Sequence, residues 1–156
     1  MAMAKPCNCP RCRAAPRMQV PPLPLPRPSA APRSHFAAYA DKFVLATCGN
    51  GTVIPLRRHN SQGRYTCRHG VVTVPDDGYY MLLWELSIDR VKPIVQLQLG
   101  INDKGSMLCD ALKPGHDSGQ QVTWLRRGDK VSLQVSGNEQ GELHGKHAQL
   151  TIIRLG

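Results

Sequence analysis

The stretch Gly78-Tyr79-Tyr80-Met81-Leu82-Leu83-Trp84-Glu85-Leu86-Ser87-Ile88-Asp89 decides the fold. Tyr80, Leu82, Trp84, Leu86 and Ile88 recur at every second position, which places them on one face of a β-strand. The opposite face still carries Tyr79, Met81 and Leu83. A strand of a β-sandwich has one core face and one outer face. Apolar residues on both faces therefore predict that the outer face is covered as well. A chain of 156 residues has no third layer to do this. A second copy of the chain is the simplest cover; loops or the N-terminal tail are the local alternative. The last strand repeats the feature, with Leu150 and Ile152 on one face and Ile153 and Leu155 on the other.

The same period continues outward from this strand. Val131, Leu133 and Val135 alternate with Lys130, Ser132, Gln134 and Ser136, and Val95, Leu97, Leu99 and Ile101 alternate with Gln96, Gln98 and Gly100. Turn chemistry separates the runs at Gly49-Asn50-Gly51, Pro75-Asp76-Asp77-Gly78, Asn102-Asp103-Lys104-Gly105, Arg127-Gly128-Asp129 and Ser136-Gly137-Asn138. No window sustains a 3.6-residue stripe. The pattern predicts ten strands, at 35–41, 52–56, 64–67, 70–74, 78–88, 93–101, 106–112, 119–127, 129–137 and 144–155. Many short strands without helices mean an all-β antiparallel sandwich or barrel.

The chain has a second composition at its start. Nine of the 13 prolines lie in residues 1–35, and none of the 14 glycines does. The run Val20-Pro21-Pro22-Leu23-Pro24-Leu25-Pro26-Arg27-Pro28 suits polyproline II, because proline fixes φ and lacks the N–H. We divide the chain into a disordered Pro/Arg/Cys-rich tail, 1–34, and a folded domain, 35–156. Without glycine at every third position the tail cannot form a collagen helix. Its Pro21-Pro22-Leu23-Pro24 segment is either a stiff spacer or a ligand for an aromatic groove.

The net charge of +9 follows the same division. Lys5, Arg11, Arg13, Arg17, Arg27 and Arg33 lie in the first 35 residues with no acid among them. Of the 20 basic residues, 14 then remain against 11 acids. A nucleic-acid groove would concentrate charge on the folded part, so nucleic acid is not the expected partner. No run of about 18 apolar residues codes a transmembrane helix, and no secretory signal peptide is visible.

The motifs, in order, resemble those of the tumour-necrosis-factor-like and complement C1q-like families. His35-Phe36-Ala37-Ala38-Tyr39 resembles the opening strand, and Val53-Ile54-Pro55-Leu56 the short second one. Val72-Thr73-Val74-Pro75-Asp76-Asp77-Gly78-Tyr79-Tyr80 resembles the block "F-T-V-P-x-x-G-x-Y". Gln98-Leu99-Gly100-Ile101-Asn102 resembles the "N-G" hairpin, with Asp103-Lys104 inserted before Gly105. Leu125-Arg126-Arg127-Gly128-Asp129-Lys130-Val131-Ser132-Leu133 resembles "L-x-x-G-D-x-V-x-L". Ala148-Gln149-Leu150-Thr151-Ile152-Ile153-Arg154-Leu155 is similar to the closing strand of bacterial members, which include heads of collagen-like spore exosporium glycoproteins. The resemblance implies a ten-strand jelly roll that assembles as a homotrimer through its inner sheet. The expected interface residues are Phe36, Tyr39, Tyr79, Tyr80, Leu83, Trp124, Ile153 and Leu155. The sequence departs from the exosporium heads in lacking a Gly-X-Y stalk.

Cys7, Cys9 and Cys12 are close enough to share a zinc ion, although no fourth ligand is near. Interchain crosslinking or a reactive thiol cluster is the preferred reading over zinc, with Lys5, Arg11 and Arg13 expected to lower their pKa. Cys48, Cys67 and Cys109 lie at strand edges, where buried free thiols are expected. His144 and His147 would form a metal or pH-sensing cluster only if symmetry gathered them; exposed histidines are the plainer reading. Arg57-Arg58-His59 and Arg126-Arg127 are solvated, or bind anionic glycans or phosphates. Asn50-Gly51-Thr52 fits a glycosylation acceptor, which needs a secretory route.

No nucleophile elbow, metalloprotease motif, P-loop or dinucleotide fingerprint is present, so no enzyme and no obligatory cofactor or further metal is expected. The expected function is a homotrimeric surface head with a structural or adhesive role, anchored by the tail. Its partners would be itself and a surface-layer protein or glycan receptor. The expected location is a spore or cell surface, with a cytoplasmic (mother-cell) stage before assembly. The alternatives are a nucleic-acid or metal-binding module acting through the tail, and a phage-fibre or secreted receptor-ligand head.

Overall fold

The structure is a computed structural model that describes residues 34–47, 51–92, 95–102, 104–137 and 141–156. The predicted tail, but for Ser34, lies outside these residues, as do Cys7, Cys9, Cys12, Cys48 and Asn50. In chain order the strands are β1 (His35–Thr47), β2 (Thr52–Val53), β3 (Arg58–Gln62), β4 (Thr66–Arg68), β5 (Val71–Thr73) and β6 (Gly78–Lys92). They continue with β7 (Val95–Ile101), β8 (Lys104–Ala111), β9 (Gly115–Leu125), β10 (Lys130–Gly137) and β11 (Gly141–Arg154).

Two antiparallel sheets face each other. The first has the order β3-β1-β11-β6-β9, and the second β4-β5-β10-β7-β8 with β2 beside β10. The alternation read in the sequence fills the space between them. Leu82, Leu86, Leu150 and Ile152 from the first sheet and Leu97, Leu133 and Val135 from the second are fully buried. Each such side chain contributes about 1.5–3 kcal/mol. The all-β jelly-roll sandwich expected from the sequence is present, with one strand more than the ten predicted. The addition is β3, whose residues His59–Gln62 are all exposed. A polar edge strand carries no period-2 signal; backbone pairing alone, Tyr39 with Arg58 through His35 with Gln62, holds it.

β1 also runs past its predicted end at Asp41. At Lys42 the backbone enters the left-handed region (φ 44°), and the side chains change faces. Phe36, Ala38 and Ala40 point into the core before it; Phe43 and Leu45 pack against the core after it. β11 switches at the facing position, with Leu143 buried before Lys146 and Ala148, Leu150 and Ile152 after it. In β6 the buried set passes from Ile88 to Val91 across Asp89 and Arg90. The pairing of β6 with β11 is irregular at this level. The three central strands thus switch faces along one line, a crease across the first sheet, with the register shift between β6 and β11. Lys146 and Asp89 form an ion pair of 2.9 Å along it, and His147 Nδ1 lies 3.1 Å from Asp41 Oδ1. Lys146 holds the Asp89 carboxyl below its ordinary pKa.

Two glycines leave room for aromatic rings. Gly119 is the cross-strand partner of Trp84, and Gly145 that of Phe43. A Cβ at either position would overlap the ring that lies on it.

At the end of the sandwich where Ser34 and Arg154 lie, the turns interlock. Asp129 N donates to Arg126 O at 2.9 Å, and Gly128 between them has φ 89°. Arg127 N donates to Asp77 Oδ1 (2.6 Å), and Arg154 Nη2 donates to Asp77 O (2.9 Å). Tyr80 OH donates to Asp76 O at 2.7 Å. Arg154 N donates to Ser34 O (3.0 Å), which fixes where the N-terminal segment leaves the domain.

Candidate functional site

The outward face of the first sheet carries the surface that the two-faced strands predict. Alternation along β6 turns Tyr79, Met81 and Leu83 away from the core. In register beside them on β9 are Trp124, Val122 and Gln120. On the other flank Ile153 pairs with Met81, and Leu155 N donates to Tyr79 O at 2.8 Å. Met81 therefore has Val122 on one side and Ile153 on the other, at the centre of an apolar patch. Tyr79 and Trp124 meet edge to face with centroids 5.0 Å apart, a favoured aromatic geometry. Tyr79 (55 %), Val122 (55 %), Trp124 (52 %) and Leu155 (50 %) are four of the five large apolar side chains left exposed among the described residues. Their gathering on one face is the unusual feature, since scattered exposed apolar residues are ordinary.

The patch ends toward the crease. The next cross-strand row is Tyr39, Gln149, Glu85 and Ser118, and the row beyond it is Asp41, His147, Ser87 and His116. Gln149 Nε2 donates to Thr151 Oγ1 at 3.0 Å. The face is thus amphipathic along its length, apolar at the end beside Ser34 and Leu155 and polar at the crease.

Five of the eight expected interface residues fall in the patch: Tyr79, Leu83, Trp124, Ile153 and Leu155; Tyr39 lies on the same face, in the polar row beyond it. Phe36 and Tyr80 do not, and the expectation is corrected for both. Each is 0 % exposed within the core. Phe36 stacks on His59 (5.7 Å) and packs against Tyr65. The physical reason is the strand period: with Tyr79 turned out, Tyr80 must turn in, and with Ala37 and Tyr39 out, Phe36 must turn in. Met81 and Val122 join the face. Met81 already shared the period of Tyr79 and Leu83. Val122 was masked by the polar Gln120-Gln121 before it.

The histidines of the last strand go to separate partners. His144 Nε2 lies 2.8 Å from Glu142 Oε1 and 3.1 Å from Arg90 Nη2, whereas His147 faces Asp41. Among the described residues no three His, Cys, Asp or Glu side chains converge as a metal site would require. Cys67 is a free thiol whose pKa burial pushes up, although a hydrogen bond from the Gly70 backbone works against the shift. No helix among the described residues is long and apolar enough to cross a membrane.

A family model described as the C1q domain matches residues 54–152. A sequence search of curated proteins returns no match. Among solved structures, the globular domain of zebrafish complement 1qA protein is similar with a TM-score of 0.56 at 15 % identity, over 78 % of this chain and 97 % of that one. Murine APRIL at pH 5.0 is similar with a TM-score of 0.55 at 15 % identity, over 79 % of this chain and 99 % of that one. Rabbit GITRL is similar with a TM-score of 0.55 at 12 % identity, over 78 % and 94 %. At these identities the likeness is one of fold.

Proposed function

Because the chain belongs to the C1q-domain family, we propose that it is a non-enzymatic head that assembles as a homotrimer and acts by binding. The observation that carries the reading is the patch of Tyr79, Met81, Leu83, Val122, Trp124, Ile153 and Leu155 on a face that the monomer leaves open. The patch by itself asks for a second copy; the number three comes from the resemblance of the motifs to trimeric relatives. Assembly through this face leaves the outer face of the second sheet and the distal loops free to meet a surface-layer protein or a glycan.

The N-terminal tail is the proposed anchor. Ser34 leaves the domain beside Arg154, at the apolar end of the face. Three tails in a trimer therefore start close together, which favours links among Cys7, Cys9 and Cys12 of different copies over zinc held by one. A spore or cell surface is the proposed location, supported by the similarity of residues 148–155 to bacterial heads. The test is the mass of the full chain in solution by light scattering with reductant present. A value near three times the 17.2 kDa subunit, about 52 kDa, is expected. A monomer would overturn the assembly.

A further inference from the structure

A groove of about 330 Å³ lies at the free edge of β1, outside the assembly patch. Pairing of β1 with β3 stops at Tyr39 and Arg58. Past that point the Pro55–Arg57 segment runs alongside β1, fixed by Arg57 N donating to Tyr39 O at 3.2 Å. Tyr39, Lys42, Phe43, Val44, Pro55 and Arg57 line the space between them. Its volume is at the lower bound of small-molecule sites, about 300 Å³.

The chemistry of the lining is specific. Arg64 is paired with Asp76, Lys146 with Asp89, and Arg154 with Asp76. The side chains of Lys42 and Arg57 have no hydrogen-bond or ion-pair partner among the described residues. The acid in the lining, Asp41, faces His147 at 3.1 Å. Lys42 holds φ 44°, a conformation that lysine rarely adopts and that persists where surrounding structure imposes it. Beside these two cations stand Tyr39, Pro55 and Val44, the last 61 % exposed and, among the described residues, the one large exposed apolar side chain away from the assembly patch. Two cations without an ion-pair partner among the described residues, next to an aromatic and aliphatic wall, fit a ring with an apolar face and an anionic substituent.

We propose that this groove binds an acidic sugar, with Lys42 and Arg57 on the carboxylate and Tyr39 against the ring. The site is built within one chain, at the polar end of the face beyond the apolar patch. The test is calorimetric titration of the full-length chain with D-glucuronate, with D-glucose and inorganic phosphate as comparators. Wild type should bind glucuronate at least about tenfold tighter than glucose, the worth of one charge-assisted hydrogen bond. R57Q should lose about tenfold. K42G should lose a similar factor while melting no lower than wild type, because glycine relieves the positive φ. Glucuronate bound no better than glucose, or full affinity in both variants, would overturn the proposal. Phosphate bound tighter than glucuronate would overturn the sugar and leave a bare anion site. Repeating the titration on M81E, designed to be monomeric, separates failure of the groove from failure of the assembly reading.

Discussion

M81E should convert the assembly to folded monomers. Four residues of the patch are about half exposed in the single chain, at 50–55 %. Full burial of such a side chain is worth about 1.5–3 kcal/mol, so the remaining half gives roughly 0.75–1.5 each. Tyr79, Val122, Trp124 and Leu155 then contribute roughly 3–6 kcal/mol per subunit. Met81 lies between Val122 and Ile153, so a carboxylate there enters the centre of the interface. Removing an unpaired charge from water costs several kcal/mol per ion. Each copy would bear that cost, which matches or exceeds what the patch supplies. The monomer should keep its fold, because position 81 faces away from the core. Light scattering should give about 17 kDa, with the circular dichroism of the parent. The paired control is L82A, one residue along on the core face, where Leu82 is 0 % exposed. It should lose about 2–5 kcal/mol of folding stability instead. M81E with an unchanged trimer mass would refute the placement of the interface, and M81E that unfolds would refute the placement of Met81 outside the core.

Three further outcomes follow from the packing. G119V should lower stability by about 1–3 kcal/mol, because its side chain must displace the Trp84 ring; an unchanged melting temperature with unchanged tryptophan fluorescence would refute that contact. Burial raises the pKa of Tyr65 and Tyr80 above the ordinary value of 10.0 by disfavouring their charged forms. The stability this confers is complete below pH 10 and falls as pH rises through the folded values. A Y39F/Y79F background followed at 295 nm should show tyrosinate forming above pH 10 as the fold is lost; full ionisation at pH 10 with native circular dichroism would contradict it. D77A removes the carboxylate that accepts from Arg127 N and should cost about 1 kcal/mol, read as a lower urea midpoint.

How far the sequence could be read depended on whether burial left a periodic trace. β6, β7 and β10 alternate because one face of each meets the other sheet; β7 and β10 were legible to within two residues, and β6 up to the crease, four residues short of its end at Lys92. β3 was not, since every described side chain of it beyond Arg58 is exposed and only its backbone is engaged. The crease was illegible for a different reason. At Lys42 and Lys146 the alternation slips, so a period-2 reading ends β1 at 41 and starts the last strand late, at 144. The assembly face was half legible: the doubled apolar faces of β6 and β11 gave it away, but which of Tyr79 and Tyr80 lay outside required the phase of the whole strand. Nothing in the linear sequence placed Lys42 beside Arg57, because the segment between them pairs elsewhere.

The crease divides the outward face of the first sheet into an apolar and a polar part. The apolar rows stop at the row of Tyr39, Gln149, Glu85 and Ser118, so the proposed self-association would be confined to the end beside Ser34. In the proposed trimer the tails of three copies would be tethered to one assembly, which raises the effective concentration of their cysteines over that in free chains. Crosslinks among Cys7, Cys9 and Cys12 would then form after assembly and hold it without further help from the sheet. Oxidising the wild-type trimer and afterwards weakening the patch separates the two contributions. A chain carrying M81L, a change that conserves volume, should assemble, crosslink, and keep its trimer mass in denaturant until reductant is added. M81E should never crosslink efficiently at micromolar concentration, because its tails are not brought together. Equal crosslinking of the two variants would show that the cysteines meet without the sheet, and the tail, not the apolar face, would then be the element that counts the subunits.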